Sequence, residues 1–299
     1  MLLKYLKVKI ERPFGIFLSG GLDSGILAAI LKPDFAITCS FKGKFYNELK
    51  YAKEIAKHLD IPLKIIRPDG KDFKKVLKEG LKIIGKPINS VSLYPWMKIM
   101  EEAKGKRMVG GEGADEIFGG YSRYLILKRI HEMYKMESLK NYHPMLDNVV
   151  GLTKIHSKMT NVSCETLLKR YKEQYYFLSK IGWAEYKEYL PPVVSMEKKV
   201  ADYFNIELIL PFMNKKVADY GFSLPDDRKI QGEIRKLEVY KIAQKLLPEM
   251  VWKRKGKKGF GSPVNEWCGS KNEYDKTKYL KLQYGIIKQL SKSRRKIKR

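Results

Sequence analysis

Residues 14–32 read Phe14-Gly15-Ile16-Phe17-Leu18-Ser19-Gly20-Gly21-Leu22-Asp23-Ser24-Gly25-Ile26-Leu27-Ala28-Ala29-Ile30-Leu31-Lys32. Phe14 to Leu18 is a short apolar run, the pattern of a strand buried on both faces. It breaks at Ser19-Gly20-Gly21-Leu22-Asp23-Ser24, after which Gly25 to Lys32 reads as a helix. Two glycines at such a junction allow positive φ and close approach of a ligand. Successive N–H groups then form an anion-binding concavity, reinforced by the start of the helix. Ser19 and Ser24 add hydroxyl donors. Asp23 would repel a phosphate, but it suits a hard cation such as Mg²⁺ that bridges carboxylate and phosphate oxygens. The alternative is a plain turn with Asp23 or Ser24 as helix cap. The match over all six residues, in a strand–turn–helix context, favours a nucleotide loop.

Outward from this stretch the same alternation continues. Residues 1–8 fit a short amphipathic helix, and Phe35 to Phe41 is strand-like. Asn47 to Leu59 places Leu49, Ala52, Ile55, Ala56 and Leu59 on one helical face. Leu63 to Ile66 reads as a strand, Phe73 to Ile84 as an amphipathic helix, Trp96 to Ala103 as a helix and Arg107 to Val109 as a strand. This spacing predicts an α/β fold, a parallel sheet flanked by helices, with a mainly helical C-terminal half from about residue 121. Ligands of such sheets sit beyond the carboxyl ends of the strands. Both glycine-rich segments, 19–24 and 110–121, fall there.

The chain has 299 residues, with 44% hydrophobic and 31% charged, which suits a packed core and argues against wholesale disorder. Its net charge of +27 points to polyanionic company: nucleotide phosphates, nucleic acid or an anionic surface. Cys39, Cys164 and Cys268 form no C-x-x-C pair, so neither a disulfide framework nor a zinc site is legible. No apolar run approaches the roughly 18 residues of a membrane span, and no signal pattern opens the chain. A cytoplasmic protein is expected. The basic run 292–299 is expected to fray.

The second glycine-rich segment is Met108-Val109-Gly110-Gly111-Glu112-Gly113-Ala114-Asp115-Glu116-Ile117-Phe118-Gly119-Gly120-Tyr121. Its three carboxylates repel one another and need a cation or a basic partner. The first loop resembles the PP-loop of N-type ATP pyrophosphatases, which implies cleavage of ATP between its α- and β-phosphates. The two motifs in order resemble the synthetase domain of the asparagine synthetase family, which includes β-lactam synthetases. Pro211-Phe212 and Lys257-Lys258-Gly259-Phe260-Gly261-Ser262-Pro263 extend the likeness, which covers about residues 1–267.

The resemblance implies one ATP-pyrophosphatase domain over 1–285, with a nucleotide-binding α/β part at 1–120 and a helical part at 121–285, ahead of a basic tail at 286–299. It implies ATP and Mg²⁺ as cofactors. Leu18, Cys39, Gly110 and Gly111 would lie along the adenosine, and Ser19, Gly20, Gly21 and Ser24 would cradle pyrophosphate. Asp23 and Asp115 would hold Mg²⁺. Glu112 would help form or consume an acyl-adenylate, and Lys257 would reach the α-phosphate or pyrophosphate. Cys39 itself reads as a buried, inert residue. Of the basic run Lys253 to Lys258, only Lys257 is singled out; the others read as solvated charge.

The implied reaction adenylylates a small carboxylate, by default aspartate, and passes the acyl group to ammonia or another amine. The family's glutaminase module has no counterpart here, so free ammonia, an amine of the substrate or a separate glutaminase subunit would supply the nitrogen. Two departures touch the acid substrate. Lys198-Lys199-Val200-Ala201 stands where the family has D-R-x-S-M, and Ile209 and Asn214 stand where E-x-R-x-P-F-L-D has Arg and Asp. Two other readings compete. A PP-loop tRNA-modifying enzyme would use the positive charge, but thiolating members would want a cysteine pair and the second motif is foreign to the lysidine-forming ones, so nucleic acid is the less favoured partner. A degenerate, non-catalytic homologue acting as a basic binding protein is the other.

Overall fold

A computed structural model describes residues 1–41, 48–88, 90–135, 177–254, 262–270 and 276–297. The chain opens with α1 (Leu2–Leu6) and β1 (Phe14–Phe17). There follow α2 (Leu22–Leu31), β2 (Phe35–Cys39), α3 (Leu49–His58), β3 (Leu63–Ile66), α4 (Phe73–Ile84), α5 (Leu93–Glu102) and β4 (Arg107–Val109). Next come α6 (Ala114–Phe118), α7 (Ser122–Lys135), α8 (Phe177–Glu188), α9 (Leu190–Tyr203), β5 (Glu207–Ile209) and a 3₁₀ turn (Pro211–Met213). The remainder is α10 (Lys215–Ser223), α11 (Asp226–Lys229), α12 (Leu237–Leu246), α13 (Glu249–Trp252), α14 (Val264–Trp267) and α15 (Thr277–Ile297).

The α/β fold expected from the sequence is the one observed. The strands form one sheet in the order β3-β2-β1-β4-β5, every pair parallel. β1 lies at its centre with all four residues buried, as an apolar run covered on both faces must be. β2 ends at Cys39 rather than at Phe41, although Ser40 N still donates to Ile66 O at 2.9 Å. β5 is an element the sequence pattern did not reveal. Three residues are too few for a period to show, and only pairing with β4 (Arg107 to Glu207, Val109 to Ile209) defines them as a strand.

The chain divides into two units that alternate along the sequence. The sheet unit comprises Ile10–Gly110, Ser195–Ile209 and Pro248–Arg299. In it α4 buries Phe73, Val76, Leu77, Leu81 and Ile84 at helical spacing. Each such side chain contributes about 1.5–3 kcal/mol by leaving water. Val200 and Ala201, from the departing segment of α9, are buried in the same core. So is Ile286 of α15, with Ile287 and Leu290 packed beside it. The basic segment expected to fray is helical through Ile297, because α15 continues from a core-packed stretch.

The second unit comprises Met1–Lys9, Gly111–Val194 and Leu210–Leu247. Phe118 meets Phe212 edge-on, with ring centroids 6.2 Å apart. Arg123 of α7 makes a two-pronged contact with Glu185 of α8, at 2.9 and 2.7 Å, and Tyr124 donates to the same carboxylate. That geometry is the strong form of an ion pair. It also leaves neither buried charge uncompensated, which removal of one partner would do. Among the described residues, no helix is long and apolar enough to cross a membrane.

Candidate functional site

The carboxyl edge of the sheet gathers the first set of candidates. Leu18 follows β1 directly, and its N–H extends the ladder to Ile37 O at 2.9 Å. Cys39 closes β2, and Gly110 follows β4 with its N–H on Ile209 O, also at 2.9 Å. Parallel pairing brings these strand ends to one edge, the edge that binds ligands in open α/β sheets. Burial pushes the Cys39 thiol up to about 12. It therefore stays protonated at neutral pH and is no nucleophile.

The loop between β1 and α2 is shaped by contacts only a glycine allows. Gly20 has φ +79, and a Cβ there would come within 2.9 Å of both Ala52 N and Glu48 O at the start of α3. The loop's hydroxyls hold its curve: Ser19 N donates to Ser24 Oγ at 3.2 Å, the two Oγ atoms lie 3.0 Å apart, and Gly21 N donates to Ser19 Oγ at 3.2 Å. Gly21, not Asp23 or Ser24, is the N-cap residue of α2, and it has no side-chain cap. The plain capping explanation of Asp23 and Ser24 therefore fails. Both sit buried in the first helical turn, where a carboxylate is favoured by the helix dipole.

One contact of this loop was not legible in the sequence. Arg254 donates through Nη1 to Gly20 O at 3.2 Å and pairs through Nη2 with Glu48 Oε1 at 3.1 Å. Its guanidinium also lies over the Tyr51 ring, 4.8 Å from the centroid. The side chain is only 6% exposed, so Arg254 is not part of a solvated charge run. A lone arginine in a basic stretch gives no signal of this kind. Lys257, with Gly259 and Phe260, lies outside the described residues.

Gly111, Glu112 and Asp115 belong to the second unit, on the turn into α6 and its first residues. Here the repulsion among the carboxylates is met by basic and hydroxyl partners. Lys236 Nζ lies 2.7 Å from Asp115 Oδ1 and is 5% exposed. Tyr121 donates to Glu116 at 2.6 Å. Burial first, and then the charge of Asp115, push Glu116 up to about 7. Arg235 donates to Gly120 O at 2.7 Å, and buried Lys229 donates to Ile117 O at 2.9 Å. Gly120 is required by contact: a Cβ there would overlap both the Asp115 carboxylate and Lys236. None of the three cations carries a sequence signature.

Of the departing positions, Asn214 caps α10, its Oδ1 accepting from Lys216 N at 2.9 Å. Asn and Asp serve equally well there. Ile209 is the last residue of β5. Asp23, in the sheet unit, and Asp115, in the second unit, each offer carboxylate oxygens, the donors that a hard cation takes. Among the described residues no three His, Cys, Asp or Glu side chains gather into a cage. A Mg²⁺ shared with substrate phosphates needs none.

Sheet and loop together define a PP-loop α/β protein. The family model described as asparagine synthase matches residues 6–280, and the chain belongs to that family. It is similar to asparagine synthetase [glutamine-hydrolyzing] 1 of Bacillus subtilis (strain 168), at 27% identity over 89% of this chain and 48% of that protein. A putative asparagine synthetase [glutamine-hydrolyzing] of Mycobacterium tuberculosis (strain H37Rv) is 25% identical over 85% of this chain and 45% of its own length. Asparagine synthetase [glutamine-hydrolyzing] 1 of Lotus japonicus is 31% identical over 38% of this chain and 22% of its own. The chain spans about half the length of the first two relatives.

Proposed function

We propose that this chain catalyses ATP-dependent amide formation. A carboxylate oxygen attacks the α-phosphorus of ATP, the bond to the β-phosphate bridge breaks, and pyrophosphate leaves. A neutral amine then attacks the acyl carbon, and AMP departs with the bonding electron pair. The observation that carries this reading is the loop at residues 19–24, whose tight glycine turn runs into an uncapped helix start. Membership of the asparagine synthase family supports it.

In this reading Ser19, Gly20, Gly21 and Ser24 bind the departing pyrophosphate, and Leu18, Cys39, Gly110 and Gly111 border the adenosine. Asp23 and Asp115 are the carboxylates that would hold Mg²⁺. When bound, the ion supplies positive charge to the phosphate oxygens. Lys236 keeps one oxygen of Asp115 engaged and so orients the carboxylate. Glu112 takes the proton that the attacking amine must lose. Lys257 offers positive charge to the α-phosphate or pyrophosphate. Aspartate is the default acid and ammonia the default amine, with another amine or a glutaminase partner as further nitrogen sources. The reaction belongs in the cytoplasm, where ATP is made available.

The test is pyrophosphate release measured across a panel of carboxylic acids, each with ammonia. One acid should release pyrophosphate and yield its amide with one AMP per turnover. Glu112→Ala should lower kcat at least a hundredfold and leave ATP binding within a fewfold of the parent. Absence of pyrophosphate release with every acid, in protein that binds ATP, would refute the ligase reading.

A further inference from the structure

We infer that the outer faces of α4 and α15, in the sheet unit, form a docking surface for single-stranded nucleic acid. Lys74, Lys75, Lys78 and Lys82 are all exposed on α4. At 100° per residue they fall within an arc of about 100°. The one carboxylate of α4, Glu79, lies off this arc and accepts from Tyr203 at 2.6 Å. α15 packs against α4. Gln283 joins it to Ile88, just past the end of α4, by a reciprocal pair of hydrogen bonds at 2.9 and 3.0 Å. On the exposed side of α15, Lys281, Tyr284 and Lys288 recur at i, i+3 and i+7, within about 60° of arc. These six lysines make no ion pair among the described residues. From residue 277 to the last residue given, the sequence holds nine Lys and Arg and no Asp or Glu.

The chemistry selects among polyanions. An anionic bilayer would want an apolar helix face to insert, but Tyr279, Leu282, Ile286, Ile287 and Leu290 of α15 are already committed to the core. What remains outside is ammonium groups and one aromatic ring, Tyr284, which is 64% exposed. Lysines that track phosphates around a ring on which a base can stack are the parts of a single-strand platform. This inference is independent of the proposed ligase reaction.

The experiment is fluorescence anisotropy of the full chain with a labelled RNA strand of about 20 nucleotides, its duplex form, and anionic vesicles of phosphatidylserine. The single strand should bind more tightly than the duplex. Its affinity should fall more than about a hundredfold between roughly 50 and 200 mM salt, as expected for about six neutralised phosphates. K78E/K281E should weaken binding more than tenfold. K215E/K216E, which removes equal charge from exposed lysines of α10, should stay within twofold. Tyr284→Ala should erase the preference for single strand while leaving the salt slope unchanged. Equal loss in the two charge-reversed variants, no effect of Tyr284→Ala, or binding to vesicles without binding to RNA would each overturn the proposal. Melting curves matching the parent's establish that each variant is folded.

Discussion

At the scale of single residues, the glycine loop is as much a product of Arg254 as of its own sequence. The guanidinium bonds the Gly20 carbonyl, pairs with Glu48 and covers Tyr51, so one side chain fastens the loop to the start of α3. Arg254→Ala would leave Glu48, 16% exposed, without this cation, at a cost of about 3 kcal/mol. If the loop binds ATP, the variant should raise KM for ATP at least tenfold with a smaller change in kcat, and Arg254→Lys should recover part of the loss. Steady-state kinetics at varied ATP settle the point, and an unchanged KM in both variants would remove Arg254 from loop positioning. The loop's glycines and serines were readable because their order is rare outside such turns. Arg254 and Lys236 were not, because a buried basic residue looks like any other in a chain with 60 Lys and Arg. Only the fold reveals which of them meets a carboxylate.

At the scale of elements, the helices up to residue 110 were legible from their apolar period, and the strands from short apolar stretches, β1 and β4 each running into a glycine-rich motif. β5 was not, since its identity comes from β4 rather than from its three residues. The link from α11 to α6 was equally hidden. It runs through Lys229, whose buried amine donates to the Ile117 carbonyl. Burial brings its pKa down from 10.5 to about 7, with Asp226 opposing the shift. The sign follows directly. Between these two values the unfolded chain holds more protons than the folded one, so stability rises with pH; below about 7 both forms are charged and the dependence vanishes. Relative to Lys229→Met, the parent should gain about 2 kcal/mol between pH 7 and about pH 9. Denaturant melts at a series of pH values measure this, and parallel curves for the two proteins would exclude Lys229 as the titrating group.

At the scale of the molecule, ligand binding and folding are linked. With ATP and Mg²⁺ at about 100 times Kd, the native state should gain about 2.7 kcal/mol, visible as a rise of several degrees in Tm. Asp23→Ala and Asp115→Ala should each abolish that rise, read against each variant's own unliganded Tm, which Asp115→Ala lowers by taking the carboxylate away from buried Lys236. Retention of the shift in either variant would count against that carboxylate as a cation ligand. The alternation of the two units along the chain carries a practical consequence. A gene cut after residue 120 would encode a sheet lacking its β5 edge and a core stripped of α15. With the two units interleaved in this way, fragment complementation, not simple truncation, is the way to dissect this chain genetically.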